Sequence, residues 1–397
     1  MVVSASTIHR KLPSISFMEK VARKRIPKFA FDYLQGGIGA EACLAGNRNT
    51  LDSIQLAPRY LLQQPIQPKL NVTLFGQEFP LPFCPAPLGL SGLIWPNAME
   101  AIARATTHQG MPVGLSTFAT SSVEDIGQIA GKLLWFQLYC TASDDIENDL
   151  IRRAEDTECK TLIVTIDIPT ATRREKDIAN GLSVPPEISL SNIAQIAARP
   201  RWALETLRVG IPRFKSLLPY VPEGSSLGAS TLFLKDMAEG HITVQKLKRI
   251  RDRWPHRLLV KGVLTIKDAK LCQDLGVDGI IVSNHGGRQL DAAPIPAEIL
   301  PSIRRSVGAE MILIADGGAR SGLDIARLIA VGANFVLLGR AFAYAVAAGG
   351  KKGVEHAIFI LQEELKQTLA QIGCENIEEL PEYIVQQDSY PALKSKK

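Results

Sequence analysis

The chain has 397 residues, of which 46% are hydrophobic and 21% charged, with a formal net charge of +5. That balance describes a globular protein with a sizeable core and excludes a disordered chain. So modest a charge, with no long basic run, argues against nucleic acid as a partner.

The six cysteines (Cys43, Cys84, Cys140, Cys159, Cys272 and Cys374) have neither disulfide-framework nor metal-ligand spacing. This pattern fits a reducing, cytoplasmic compartment and no bound metal. The first 14 residues lack the apolar core of a secretory signal, and no apolar run reaches membrane-spanning length.

In chain order, residues 14 to 35 carry helical signals, interrupted by Pro27 and ended by Gly36-Gly37. A polar helix is predicted around Glu41 to Asn49. Residues 51 to 80 are rich in proline and read as loops with a short hairpin, which makes residues 1–80 a preamble. From residue 81 short apolar or β-branched runs recur: Leu81–Leu90, Met111–Thr117, Leu133–Tyr139, Thr161–Asp167, Leu258–Val263, Gly279–Ser283, Met311–Asp316 and Phe335–Arg340. Helical stretches such as Asn97–His108, Asp144–Ala154, Thr265–Asp274 and Ser321–Val331 separate most of them. Alternation of this kind implies parallel strands with crossover helices.

Eight units close most economically into a (β/α)8 TIM barrel, typically of about 250 residues. Residues 81–375 accommodate one, within a single domain that ends in a tail over 376–397. An open doubly wound sheet is the alternative, but no Gly-x-Gly-x-x-Gly follows its first strand. A long insertion over 175–240 follows the fourth strand. Within it, residues 199–220 interleave Trp202, Leu204, Leu207, Val209, Ile211, Phe214, Leu217 and Leu218 with Arg199, Arg201, Arg208, Arg213 and Lys215. A basic amphipathic segment carrying Trp and Phe suits peripheral contact with a membrane. It equally suits a loop packed on the barrel or on another subunit.

Barrel chemistry belongs at the C-terminal ends of the strands. Those ends present Pro87-Leu88-Gly89, Ser116, Gln137 with Tyr139, Thr165 with Asp167 and then Arg174, Lys261, Ser283 with His285 and Arg288, Asp316-Gly317-Gly318 with Arg320, and Gly339-Arg340. Lys261 lies inside an apolar run, where an ammonium needs a polar or anionic partner. Gly-Arg pairs after the seventh and eighth strands suggest a phosphate site. His285 alone among the six histidines sits at a predicted strand's C-terminal end, suited to accept a proton; Asp167 is a candidate to support its charge, or else a helix cap. Arg288 suits two-pronged capture of a carboxylate.

The run Ser283-Asn284-His285-Gly286-Gly287-Arg288-Gln289-Leu290-Asp291 resembles the signature of the FMN-dependent 2-hydroxy acid oxidase and dehydrogenase family. Phe31-Asp32-Tyr33, Asn47-Arg48-Asn49, Trp135-Phe136-Gln137-Leu138-Tyr139, Val260-Lys261-Gly262 and Asp316-Gly317-Gly318 extend the resemblance over almost the whole chain. It implies FMN as cofactor, with backbone at Pro87, Leu88 and Gly89 against its ring and Ser116, Gln137, Thr165, Lys261 and Ser283 around it. Asp316, Gly317, Gly318, Arg320, Gly339 and Arg340 are implied at its phosphate end.

The implied substrate is a 2-hydroxy acid. Arg288, Tyr33 and Arg174 would hold its carboxylate, Tyr139 would contact its hydroxyl, and His285, supported by Asp167, would be the base. Gly89 and the insertion resemble the branch that oxidises mandelate or lactate and passes electrons to a membrane quinone, with oxygen as the alternative acceptor. Phe118 and Ala171 fall where family members line the substrate's side chain, and mandelate is the first expectation. Family members are typically homotetramers. A barrel enzyme for another phosphate-bearing ligand, or a non-catalytic barrel, is the competing reading.

Overall fold

The computed structural model describes residues 5–182, 189–223, 225 and 242–385. Parts of the expected insertion and tail, and His241, therefore lie outside the described residues. An antiparallel hairpin of β1 (Val72–Leu74) and β2 (Gln77–Phe79) precedes eight parallel strands. These are β3 (Phe83–Pro85), β4 (Val113–Ser116), β5 (Leu134–Tyr139), β6 (Thr161–Thr165), β7 (Arg257–Val263), β8 (Gly279–Val282), β9 (Ile312–Ala315) and β10 (Phe335–Leu338). Their order, β3-β10-β9-β8-β7-β6-β5-β4, with β3 alongside β4 across the seam, makes a nearly closed TIM barrel. The doubly wound alternative is thereby set aside. β3 is much shorter than the run Leu81–Leu90 suggests, because Pro82, Pro85 and Pro87 cannot donate to a ladder. Pro87-Leu88-Gly89 accordingly forms the turn above the strand. Several crossover helices start at hydroxyl N-caps: Ser122, Ser143, Thr265 and Ser321 each accept a backbone N–H.

Side chains alternate along a strand, so period two sorts the barrel interior into layers. Trp135, Ile163, Leu259, Ile281, Ile314 and Leu337 form an apolar layer. The hairpin plugs the N-terminal mouth below it, with Phe79 packing at 6.4 Å from Trp135 and 6.1 Å from Phe335 between ring centroids. Each such buried side chain contributes about 1.5–3 kcal/mol. Two residues further up the same strands stand Gln137, Thr165, Lys261, Ser283 and Asp316, joined by Ser116 of β4. One polar layer thus crowns one apolar layer, both made by the same periodicity.

In the preamble, the helix Ile15–Arg25 is followed by Lys28–Gln35, which buries Phe29, Phe31 and Leu34 and leaves Tyr33 partly exposed toward the mouth, and by Ala42–Ser53. The last helix, Arg340–Ile372, is broken at Gly350, where φ is +58°. Beyond it the chain packs back onto the preamble rather than trailing away: Ile377, Leu380 and Tyr383 are buried, and Ile384 bridges to Leu56.

The insertion carries the helices Glu175–Ala179, Leu190–Ala197 and Pro200–Val209. Its 199–220 segment is not one apolar face. Trp202 and Leu217 are buried and Phe214 is half-buried, whereas Leu204, Leu207, Val209 and Ile211 are exposed. Trp202 packs edge-on to Phe29 at 5.9 Å and donates its Nε1–H to Leu93 O. No described helix is long and apolar enough to cross a membrane.

Candidate active site

His285 sits three residues past β8, at φ +55°, followed by Gly286 at +64° and Gly287 at +75°. Such a conformation costs a histidine on the order of 1–3 kcal/mol. The glycines continue the turn without that penalty, and Gly287 has no room for a side chain: a Cβ there would lie 2.7 Å from Leu44 N. The turn aims the imidazole inward. Its Nδ1 meets Asp167 at 3.1 Å and its Nε2 meets Tyr139 Oη at 3.4 Å. The pairing fixes the tautomer in which Nδ1 carries hydrogen and Nε2 is free to accept a proton.

Burial, the largest influence, pushes the His285 pKa down; Asp167 opposes it and Lys261 reinforces it, and the net direction is downward. The imidazole is therefore neutral at neutral pH. Asp167 can lie where it does because β7 continues from Lys261 into Gly262 at φ +102°. A Cβ on that residue would fall 2.5 Å from the Asp167 Cβ.

Lys261, 3% exposed, donates to Ser283 Oγ at 2.7 Å and pairs with Asp316 at 3.2 Å. Burial works against its charge, but Asp316 and Asp167 outweigh it and raise its pKa, so it stays an ammonium. Ser283 Oγ also accepts the His285 backbone N–H at 3.0 Å. Gln137 donates to Thr165 Oγ1 at 2.7 Å. Ser116 Oγ accepts from Phe118 N, and Tyr33 Oη donates to Gly89 O at 3.3 Å. At Gly89 neither a positive φ nor crowding demands glycine, since an added Cβ would meet nothing nearer than Phe118 O at 3.7 Å.

The arginines have unequal duties. Arg288 Nη1 donates to Tyr33 O at 2.7 Å and Gly36 O at 2.8 Å, leaving its Nε–Nη2 edge for a ligand. Arg340 donates to Leu34 O, Gly286 O and Gly36 O at 2.9–3.1 Å, so it ties the preamble to the mouth more than the sequence implies. Between them the two arginines cap the carbonyl end of the Lys28–Gln35 helix. Among the described residues the Arg320 guanidinium donates a single hydrogen bond, to Ala319 O. Burial and the neighbouring Arg320 and Arg288 push Arg340 down to about 9. Arg174 shares the Tyr33 ring with Arg288, the two guanidiniums 5.8 and 4.9 Å from its centroid, and the Arg174 Nη1 lies 3.2 Å from Asp177.

Several supporting residues carry signals too weak to read in isolation. Asn47 and Asn284 exchange side-chain hydrogen bonds at 3.1 and 2.9 Å beneath Gly317, and Arg48 donates to Gly318 O at 2.8 Å and to Asp324 at 2.7 Å. Asp177, its pKa raised by burial against the pull of Arg174 and Arg288, is another. A glycine directly after a buried strand lysine could have pointed to Gly262.

Among the described residues, two buried acceptors in the polar layer, Gln137 Oε1 and Asp316 Oδ1, have no hydrogen-bond partner. Buried acceptors require donors, and the clustered buried arginines require an anion. FMN carries a ring N–H, hydroxyls and a phosphate, so the residues present fit it.

The family model described as FMN-dependent dehydrogenase matches residues 22–387. An L-lactate dehydrogenase of Caulobacter vibrioides (strain NA1000 / CB15N) is 36% identical over 97% of this chain and 98% of its own. The (S)-mandelate dehydrogenase of Pseudomonas putida is 35% identical over 94% of each chain. The crystal structure of a monotopic membrane protein, (S)-mandelate dehydrogenase, superposes with a TM-score of 0.89 at 36% identity, covering 95% of this chain and 100% of that one.

The His285 environment has a measurable consequence. In histidine-labelled protein followed by NMR, its imidazole should titrate below the ordinary value of about 6.5. Asp167→Asn, or Gly262→Ala, which displaces Asp167, removes the anion that favours the charged ring and should move the midpoint lower still. An upward shift in both variants would contradict the assigned pairing.

Proposed function

The chain belongs to the FMN-dependent dehydrogenase family, and from that premise we propose how its residues oxidise a 2-hydroxy acid to the 2-keto acid. The reaction removes two electrons and two protons, and bound FMN supplies the redox chemistry. Pro87, Leu88 and Gly89 offer backbone to the ring of the cofactor. Ser116, Gln137, Thr165 and Ser283 hydrogen-bond it, and Lys261 keeps a fixed positive charge beside it. Asp316, Gly317, Gly318, Arg320, Gly339 and Arg340 would line its phosphate end.

The substrate carboxylate lies on the Nε–Nη2 edge of Arg288, with Tyr33 and Arg174 completing the grip. This anchoring brings the hydroxyl within hydrogen-bond reach of both Tyr139 Oη and His285 Nε2. His285 takes the hydroxyl proton at Nε2, and Asp167, holding Nδ1–H, stabilises the imidazolium that results. Tyr139, with a pKa raised by burial and by Asp167, stays protonated and donates to the same oxygen. The observation that carries this reading is the neutral imidazole held between Asp167 and Tyr139 at 3.1 and 3.4 Å. Purified His285→Gln should retain its yellow flavin absorbance and lose turnover by about 10²–10⁴-fold, the usual contribution of a general base. Turnover near that of the parent would remove His285 from this role.

We further assign a mandelate-like substrate, with lactate as the alternative. Supporting this, Phe118 stands edge-on to Tyr139 at 5.1 Å, offering an aromatic wall. The acceptor is a membrane quinone, supported by the exposed Leu204, Leu207, Val209 and Ile211 beside Arg201, Arg208 and Arg213. On this reading the protein sits peripherally on the cytoplasmic face of the membrane, in keeping with the monotopic (S)-mandelate dehydrogenase it resembles. A steady-state screen of mandelate, lactate and longer acids against a quinone analogue and dissolved oxygen should give the highest kcat/KM for mandelate with quinone. Preference for lactate, or for oxygen, overturns the respective assignment. Replacing Leu204, Leu207 and Ile211 together by serine should move the protein from the membrane fraction to the soluble one. An unchanged distribution would discard the membrane contact.

A further inference from the structure

The insertion's inward face ends on the substrate's side of the barrel mouth. Phe214 meets the Phe118 ring edge-on, 5.4 Å between centroids at 88°, and Phe118 meets Tyr139 in turn at 5.1 Å and 73°. Phe118 also borders the turn at Gly89, where an added Cβ would lie 3.8 Å from the Phe118 Cβ and 3.8 Å from Tyr33 Oη. The Phe118 ring therefore stands among the groups that hold the substrate, and Phe214 stands behind it.

Phe214 is not free to drift. The turn after it is closed by Leu217 N and Leu218 N donating to Phe214 O at 2.9 and 3.1 Å. Ser216 and Leu217 are fully buried. Arg153 reaches from the helix Asp144–Asp156 to Ser216 O at 2.7 Å and to Tyr220 Oη at 3.0 Å, while both oxygens of Glu124 hold its guanidinium at 2.7 and 3.0 Å. Tyr220 Oη donates to Asp149 at 2.6 Å. A two-pronged ion pair with a hydroxyl brace is a rigid clamp.

We propose that Phe214, a residue of the insertion and not of the barrel, determines the length of substrate side chain that the site accepts by limiting how far Phe118 can retreat. This rests on the 2-hydroxy acid reading above. A side chain directed past Tyr139 meets Phe118, and Phe118 yields only as far as the clamped Phe214 permits. The membrane-facing insertion thus has two faces with separate duties: exposed leucines outward, and a specificity wall inward. Phe214 is a positioning residue, acting on the substrate through Phe118.

The test is the ratio of kcat/KM for 2-hydroxyoctanoate to that for lactate, measured on the FMN-loaded full chain. Phe214→Ala should raise the ratio about tenfold or more, the scale set by a few methylenes in an apolar pocket. Phe214→Trp should lower it, and Phe214→Leu should restore much of the parent value. The opposite signs keep the idea testable should the alanine variant not fold, since a general loss of structure would move both substrates together. A ratio within twofold of the parent in the tryptophan variant, or in an alanine variant that folds and binds FMN, would overturn the proposal. If the parent oxidises no 2-hydroxy acid at all, the underlying reading fails instead, and the two failures are distinguishable.

Discussion

An ammonium group kept charged inside a barrel is the constraint on which the rest of this site depends. Lys261 is nearly inaccessible to water, and its charge persists only because Asp316 and Asp167 face it and Ser283 takes one of its hydrogens. Those partners come from the ends of β9, β6 and β8, so satisfying one cation aligns the neighbouring strand ends. Asp167 is shared between Lys261 and His285, which links the fixed charge to the imidazole. Arg288, Arg320 and Arg340 add three more buried or half-buried cations to the same mouth. A mouth so rich in cations suits anionic ligands.

The preamble is part of the same electrostatic arrangement. A helix leaves its last carbonyls without partners, and here barrel arginines supply them: Arg288 bonds Tyr33 O, and Arg340 bonds Leu34 O, while both reach Gly36 O. The helix carrying Tyr33 is thereby fastened to the turn carrying His285. One set of contacts both caps a helix and sets the distance between Tyr33 and His285. The guanidinium groups can do this and still offer ligand contacts because each has five donors in a rigid fork.

The insertion resolves a conflict between two plausible readings of one amphipathic stretch. Its aromatic and central aliphatic residues, Trp202, Phe214 and Leu217, turn inward against Phe29, Phe118 and the core, while Leu204, Leu207 and Ile211 turn outward. Packing on the barrel and presenting an apolar surface are therefore not alternatives. The helix Pro200–Val209 and the turn after it supply one face for each.

Much of this was legible in the order of residues alone. Period-two alternation and helical spacing are local properties, so eight strand–helix units, the barrel they form, and the roster of groups at the strand ends could be read before any coordinates. The turn Ser283–Asp291, with its histidine, glycines and arginine at fixed offsets, is a short-range signal of the same sort. What only the tertiary structure decided are relations between distant segments: Gly262 making room for Asp167, Asn47 pairing with Asn284, Arg340 bonding the carbonyls of Leu34, Gly36 and Gly286, and Phe214 lying behind Phe118. Each depends on two or more stretches far apart in the chain arriving within a few ångströms. No periodicity encodes such meetings, because they are settled by how the packed elements share space and charge.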